Sequence, residues 1–265
     1  MSSEPGDHFG LTELLGAAGD LYLPAAPEPS CVIVLGGSVV YTPRGGNGRP
    51  YGVGEGFCVG QAHTLTFADP ARVWRVSGSA ELVRALGRFA AQLARKDPAT
   101  ATHSARVGQL TAEMGRHLGL GGGRLERLAL AAYLHDLGKL RLPTTLLQTP
   151  NPLALPEWQL MTRHPREGSR LLEGTPLAFA GTVAEQHHER LDGSGYPAGL
   201  RGDQVAFEGQ LVAVADTFDA ITHGRPYQEP RSPQGALSEI NRYSGVLFAR
   251  AAVNALNAVT KRKTG

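Results

Sequence analysis

The chain has 265 residues, of which 42% are hydrophobic and 19% charged, and its formal net charge is +2. This suffices for one large or two modest globular domains with a buried core. The low net charge argues against the broad basic surface that binds a nucleic-acid polymer. No apolar run is long enough to span a bilayer, and the N-terminus does not resemble a signal peptide, so a cytoplasmic protein without membrane association is expected.

Residues 1–78 are predicted to form a small regulatory or dimerisation domain rich in β-structure. The segment LTELLGAAGD predicts a short helix near the start. The runs CVIV, SVVY, GFCV and RVWRV that follow are β-branched or aromatic, and glycine-rich turns separate them. This pattern is typical of a β-roll or β-sandwich.

The order strand, Gly-Gly, strand, Gly-Glu-Gly-Phe over residues 20–77 resembles the β-roll of cyclic-nucleotide-binding and cupin-like domains. The cyclic-nucleotide family places an arginine soon after this turn, but here none occurs before Arg72. A β-domain with an unknown or absent ligand is therefore preferred. Cys31 and Cys58 belong to no CxxC motif and are predicted to be reduced residues of the core.

Residues 79–97 predict a connecting helix with Ser79 as its N-cap. Leu82, Leu86, Phe89 and Leu93 form one apolar stripe along it. The stripe can pack on its own chain, or it can pair with the same helix of a second copy, which would make the protein a homodimer. The segment is too short for its sequence to distinguish the two.

From residue 98 to residue 265 the pattern is helical, which gives an α+β multidomain fold: a β-roll or sandwich followed by an all-α domain. WQLMTRHPREGSRLL predicts a helical segment that Pro165 kinks or loosens, and AEQHHER predicts another helix. Seven potential ligands fall at the inward side or the end of these helices: His103, His135, Asp136, His164, His187, His188 and Asp216. One inward histidine is usually a hydrogen-bonded core residue, but seven such groups on five helices predict a shared metal site.

The motifs His-Asp-x-Gly-Lys, His-Pro, His-His-Glu, Asp-Gly-x-Gly-Tyr-Pro-x-Gly-Leu-x-Gly and Val-Ala-Asp follow one another in this order. The order resembles the HD-GYP subgroup of the HD phosphohydrolases, over residues 97 to about 258. The resemblance implies an all-helical domain whose metal cluster hydrolyses cyclic di-GMP.

By family position, one metal would be held by His103, His135, Asp136 and Asp216. A second would be held by His164, His187 and His188, with Asp136 bridging the two. Some members bind a third metal through a glutamate four residues before the first histidine; here that position is Ala99. The resemblance thus implies two divalent ions, iron or manganese first, with zinc and nickel as alternatives.

The implied reaction is attack of a metal-bridging hydroxide on the phosphodiester, which gives linear pGpG and possibly GMP. Asp136 and Lys139 are the predicted catalytic residues; Lys139 neutralises phosphoryl charge, or alternatively is an ordinary lysine at a helix end. Arg225 and Tyr227 resemble the family's phosphate-contacting pair. Asp219 would orient a guanine edge or a metal-bound water, or alternatively support the ligands.

The loop Gly195, Tyr196 and Pro197 suits a lid or a contact with a signalling partner more than bond breaking. Two other functions stay open. One is an HD-GYP adaptor of low or no activity that binds partners through this loop. The other is a phosphohydrolase of the wider HD group that acts on mononucleotides or on another cyclic dinucleotide.

Overall fold

The computed structural model describes residues 9–23, 28–59, 63–67, 70–224 and 229–264. Its contacts divide the chain into two compact units, Met1–Ala105 with Gly174–Leu177 and Arg106–Glu173 with Ala178–Gly265. The division falls within one continuous helix, Pro98–His117. Within the described ranges, no helix is both long and apolar enough to cross a membrane.

The first unit contains eight described strands: β1 (Gly10–Gly16), β2 (Gly19–Leu23), β3 (Ser30–Gly36), β4 (Val39–Pro43), β5 (Arg49–Tyr51), β6 (Gly56–Val59), β7 (His63–Phe67) and β8 (Ala71–Ser77). They form two four-stranded antiparallel sheets, in the orders β1-β8-β3-β6 and β2-β7-β4-β5. Alternate side chains of these strands fill an apolar core that includes Val32, Val34, Leu65, Phe67 and Val73. The predicted β-rich N-terminal part is confirmed.

The predicted N-terminal helix is wrong, because LTELLGAAGD contributes to strands β1 and β2. β1 pairs with β8 over its whole length, from Gly10 opposite Ser77 to Gly16 opposite Ala71. The Glu13 carboxylate lies 3.2 Å from Arg72 Nε on the neighbouring strand. Backbone pairing with a strand sixty residues away along the chain outweighs the weak local preference of a short segment for helix.

Helix α1 (Ala80–Lys96) begins as predicted, with the Ser79 hydroxyl accepting from the Leu82 N–H at 3.2 Å. The four residues of its apolar stripe are each at most 4% exposed: Leu82, Leu86, Phe89 and Leu93. α1 packs on β3 and β6 of the first unit. The stripe is therefore buried within its own chain and is not available for a helix pair, so a homodimer stays a prediction on other grounds. The predicted boundaries at 78 and 97 also stay predictions.

The described helices that follow are α2 (Pro98–His117), α3 (Gly122–Leu134), α4 (Thr144–Leu147), α5 (Leu155–Met161), α6 (His164–Leu172), α7 (Gly181–Gln186), α8 (Phe207–His223), α9 (Pro233–Arg242) and α10 (Arg250–Thr264). Short 3-10 segments occur at Leu137–Arg141, Ala178–Ala180 and Gly202–Gln204. α3 and α8 contribute fully buried apolar runs to the core of the second unit. The all-α domain is confirmed.

Several predicted ligands lie at helix ends rather than inside helices. α3 ends at Leu134, so His135 is its C-cap and Asp136 follows it. The helix is interrupted just before Pro165, where a kink or a loosening was predicted: α5 ends at Met161 and α6 begins at His164, with Pro165 in its first turn. Proline lacks an N–H, and the first turn is the one place in a helix where none is needed. His187 and His188 likewise follow α7.

Candidate metal centre

The carboxylate of Asp136 lies among three histidine side chains in the interior of the second unit. Its Oδ1 is 3.2 Å from His164 Nε2 and 3.9 Å from His187 Nε2. Its Oδ2 is 3.5 Å from His135 Nε2. All four residues are at most 2% exposed. Side chains that are up to 52 residues apart in sequence thus converge on one buried point.

A second group adjoins the first. His164, His187 and His188 each offer a ring nitrogen, and these atoms lie within 4.8 Å of one another. The His187 and His188 rings have their centroids 4.1 Å apart. His188 Nδ1 lies 3.9 Å from a carboxylate oxygen of Asp216, a buried residue of α8. His188 and Asp216 therefore belong to the same cluster.

Three of these rings are held by the same local hydrogen bond, from Nδ1 to the backbone carbonyl three residues earlier. The pairs are His135 with Ala132 O at 2.7 Å, His164 with Met161 O at 2.8 Å and His187 with Ala184 O at 2.8 Å. A carbonyl only accepts, so Nδ1 carries the proton in each ring. Nε2 is thereby turned toward the cluster, which is the orientation that metal-ligating histidines adopt.

The charge states fit a bound cation. Burial first, and then the neighbouring histidines, hold the pKa of His187 and of His188 well below the ordinary value. His187 is therefore neutral, and its Nε2 lone pair lies 3.2 Å from His164 Nε2. Two such lone pairs repel unless a proton or a cation lies between them. Imidazole and carboxylate ligands suit first-row transition metals.

Asp136 is a charged carboxylate despite its burial. Burial by itself raises the pKa of this group, but the Lys139 ammonium and then His135 outweigh that effect and hold the pKa well below its usual range. Lys139 Nζ donates to Asp136 Oδ2 at 2.7 Å, and its side chain is 20% exposed. The site therefore keeps an anionic ligand in its interior and a cation at its edge.

The glycine of the HDLGK motif allows the ligand-bearing segments to meet. A Cβ on Gly138 would lie 1.9 Å from the His164 carbonyl oxygen and 2.5 Å from Gly168 N. The 3-10 segment after Asp136 therefore contacts α6 backbone to backbone, which brings Asp136 and His164 together.

The loop of Gly195, Tyr196 and Pro197 (the GYP loop) lies against the predicted metal ligand His188. The Tyr196 ring stacks on His188, with ring centroids 4.7 Å apart and an interplanar angle of 29°. The Trp158 ring meets Tyr196 edge to face at 5.8 Å. A Cβ on Gly195 would lie 2.5 Å from Glu189 Cα, so only glycine allows this approach. Arg166 also contacts the loop and donates to Pro197 O at 3.2 Å.

Glu189 holds this loop, a role that the sequence analysis missed. The residue is 2% exposed, and its two carboxylate oxygens accept from Ala198 N at 2.7 Å and Leu200 N at 2.9 Å. The available signal was the acid directly after the two histidines. A carboxylate directly after two buried ligands is itself expected to be buried, and a buried carboxylate needs hydrogen-bond donors. The backbone N–H groups of the glycine-rich loop that follows can supply them.

Asp219 makes a paired contact with Arg106, which the sequence analysis also missed. Arg106 donates to both carboxylate oxygens at 2.7 Å, and His223 Nδ1 lies 3.1 Å from one of them. The signal was the position of Arg106, one helical turn after His103. The substrate contact predicted for Asp219 stays a prediction. Arg225 and Tyr227 lie outside the described residues.

His103 is half-buried on α2, the helix that runs without a break through the division between the units. The predicted role of His103 as a ligand beside His135 and Asp136 stays a prediction. His117, which the sequence places off the inward face of the same helix, is exposed.

Comparison with known proteins agrees with this geometry. Residues 89–251 match the model of the HD domain family. A cyclic di-GMP phosphodiesterase response regulator of Xanthomonas campestris is 38% identical over 174 residues, which are 64% of this chain and 46% of that protein. A cyclic di-GMP phosphodiesterase of Thermotoga maritima is 37% identical over 172 residues, 64% of this chain and 47% of that protein.

The chain thus spans about half the length of these curated relatives. A solved HDG"Y"P protein of Bdellovibrio bacteriovorus covers 95% of this chain and is itself covered completely, with a TM-score of 0.52 at 15% identity, which supports the fold. The family match takes in the whole buried histidine and aspartate cluster. The chain belongs to the HD domain family.

Proposed function

We propose that the chain is a metal-dependent phosphodiesterase that hydrolyses cyclic di-GMP. The observation that carries this proposal is the buried Asp136 carboxylate surrounded by the Nε2 atoms of His135, His164 and His187. Burying several ionisable groups together costs free energy unless partners or a metal ion compensate it. Such a cluster therefore indicates a catalytic or metal-binding role. The relatives named as cyclic di-GMP phosphodiesterases support the substrate.

We infer two cation sites that share Asp136, and the group of His164, His187 and His188 within the second unit supports one of them. One site would use His103, His135, Asp136 and Asp216. The other would use His164, His187 and His188. Iron or manganese suits this set of imidazoles and carboxylates, with zinc and nickel as alternatives.

When bound, two divalent cations neutralise phosphodiester charge and make water a stronger nucleophile. The protein's part is to hold the ligands and to complete the charge balance. The Nδ1 hydrogen bonds fix the rings of His135, His164 and His187, so that little reorganisation is needed on binding. Lys139, at the edge of the cluster, offers a positive charge toward a non-bridging phosphoryl oxygen. Cleavage of one ester bond opens the ring to linear pGpG, and a second hydrolysis would give GMP.

A second substrate candidate is 3'3'-cGAMP. Three Vibrio cholerae relatives, 32–36% identical to this chain, are named 3'3'-cGAMP-specific phosphodiesterases. Both cyclic dinucleotides contain the same pair of phosphodiesters and differ in one base. Discrimination between them would lie in the base contacts and not in the metal ligands.

The test is turnover of both dinucleotides by protein purified without chelators and loaded with Mn(II) or Fe(II), with products separated by chromatography. We expect linear dinucleotide to accumulate, and the double variant His135→Ala, Asp136→Ala to form none. His117→Ala, an exposed histidine outside the cluster, should retain full activity. A double variant as active as the parent would refute the site. Dinucleotide binding without hydrolysis by metal-loaded protein would instead support the adaptor function.

A further inference from the structure

Cys31 and Cys58 are direct cross-strand neighbours in the first unit, although 27 positions separate them in sequence. β3 and β6 are antiparallel, and the register places Cys31 opposite Cys58. Residues directly opposite in such a pair have Cα atoms about 4.5–5.5 Å apart. A disulfide spans about 4.4–6.8 Å between Cα atoms, so this backbone needs no movement to accept one. The family match begins at residue 89 and does not include either cysteine.

Both sulfur atoms lie under the same point of α1. A Cβ on Gly87 would lie 2.4 Å from Cys58 Sγ and 3.7 Å from Cys31 Sγ. The two thiols therefore point to the same face of the sheet, as direct cross-strand neighbours must. Glycine at position 87 leaves the space that the sulfur of Cys58 occupies.

The two thiols differ in access to solvent. Cys31 is fully buried and Cys58 is exposed, so the prediction that both are core residues is wrong for Cys58. The S–H of Cys58 donates to Val83 O of α1 at 3.3 Å. Because Cys58 is an exposed residue and Cys31 a buried one, a reagent from solvent has access to Cys58 and not to Cys31.

They also differ in acidity. The hydrogen bond from Cys31, and to a smaller degree the charge of Arg84, lowers the pKa of Cys58 to about 7, although burial opposes the shift. The pKa of Cys31 is raised well above its ordinary value by that same hydrogen bond and by burial. The pair thus combines an exposed thiol of lowered pKa, whose S–H donates to Val83 O, with a buried thiol of raised pKa.

We propose that Cys31 and Cys58 are a peroxide-oxidisable dithiol, in which the exposed Cys58 reacts first and the buried Cys31 closes the disulfide. The Cys58 thiolate attacks one oxygen of hydrogen peroxide; the O–O bond breaks, hydroxide leaves and takes up a proton, and a sulfenic acid remains. The Cys31 sulfur then attacks the Cys58 sulfur, the S–O bond breaks, and water leaves with the Cys31 proton. The two thiols lose two electrons and the peroxide gains them.

The lowered pKa of Cys58 predicts how fast this thiol is alkylated. At neutral pH a thiol with a pKa of about 7 is half ionised, whereas one at the ordinary 9.0 is about 1% ionised. The weaker nucleophilicity of a more acidic thiolate reduces this advantage by roughly tenfold. Iodoacetamide should therefore alkylate Cys58 roughly fivefold faster than an ordinary exposed cysteine, and should leave Cys31 unmodified in the folded protein.

The experiment treats the reduced full-length chain with hydrogen peroxide and maps the peptides without reduction. We expect a Cys31–Cys58 cross-linked peptide that dithiothreitol reverses. In Cys31→Ser the reaction should stop at a Cys58 sulfenic acid, which dimedone traps. In Cys58→Ser the buried Cys31 should stay reduced. Arg84→Gln should slow alkylation of Cys58 at least about twofold, whereas Arg88→Gln, one turn further along α1, should not.

Absence of the intramolecular cross-link at full consumption of peroxide would overturn the proposal. Oxidation of Cys31 in Cys58→Ser at the rate of the parent would do so as well. The alkylation rates of the unmodified chain test the reactivity order without any variant, so a variant that fails to fold does not leave the proposal undecided.

Discussion

The interiors of the two units differ in how many ionisable side chains they bury. The core of the β-sandwich is made of valine, leucine and phenylalanine side chains. Every buried histidine, aspartate and glutamate side chain among the described residues lies in the second unit: His135, Asp136, His164, His187, Glu189, Asp216 and Asp219. An apolar core contributes stability directly, whereas a buried ionisable group must be compensated by partners. The contrast shows that the helical unit buries ionisable side chains whose free-energy cost its other contacts must compensate.

The largest effect on activity is expected when an ionisable side chain in the interior of the helical unit is replaced by an apolar one. His187→Leu replaces a ligand by an apolar group of similar size. Metal content should fall, and activity should drop by more than the roughly 10–100-fold that residues orienting a ligand contribute. The metal-free protein should lose little stability, because a buried polar group is removed. Metal analysis and thermal unfolding check both halves; full metal content in the variant would contradict the ligand assignment.

The matching control is a substitution that creates a cavity in the apolar core of the first unit, away from the predicted ligands. Leu65 is fully buried, and Leu65→Ala should cost about 2–5 kcal/mol of stability. Metal content per folded molecule should stay at the parent value. Denaturant unfolding paired with metal analysis measures the two quantities. A loss of metal at a denaturant concentration where the variant is still folded would show that the two interiors are not independent.

A smaller effect is expected from a substitution of Glu189, whose carboxylate holds the loop that carries Tyr196. Glu189→Gln keeps the shape but replaces one acceptor oxygen by an amide group, so either Ala198 N or Leu200 N loses its partner. We expect a loss of about 1–3 kcal/mol of stability. Activity should fall about tenfold, because the loop that carries Tyr196 against His188 is loosened. Glu173→Gln, an exposed residue, serves as the control in both measurements, and equal values for the two variants would refute the anchor.

The most gradual effect is a pH dependence of stability that arises in the helical unit. The pKa of His187 and of His188 is lowered from 6.5 in the folded protein, so below that pH the unfolded chain binds more protons than the folded one. The stability of the metal-free protein should therefore fall as the pH is lowered from 6.5, by up to about 1.4 kcal/mol per pH unit for each histidine. Asp136, whose pKa is lowered from 3.8, adds to the loss only below that value. Chemical denaturation from neutral pH to pH 4 measures the slope, which should be about half as steep in His187→Leu.

Much of this protein could be predicted from local pattern. The HD, His-His-Glu and Gly-Tyr-Pro motifs predicted the family, and the helical segments predicted that His135, Asp136, His164 and His187 would meet. The glycine-separated apolar runs predicted a β-roll or β-sandwich. These features depend on residue type and short spacing, which the chain displays directly.

Other features depend on which distant segments become neighbours. LTELLGAAGD contributes to two strands because β8 is available to pair with β1. Arg106 matters because Asp219 lies beside it, and Glu189 because a loop nine residues later turns its N–H groups toward it. Cys31 and Cys58 form a dithiol only because β3 and β6 pair in one particular register. The sequence by itself determined the family and the fold class; the tertiary structure alone decided these partnerships, because a hydrogen bond or a sulfur contact needs a separation of a few ångströms that spacing along the chain does not specify.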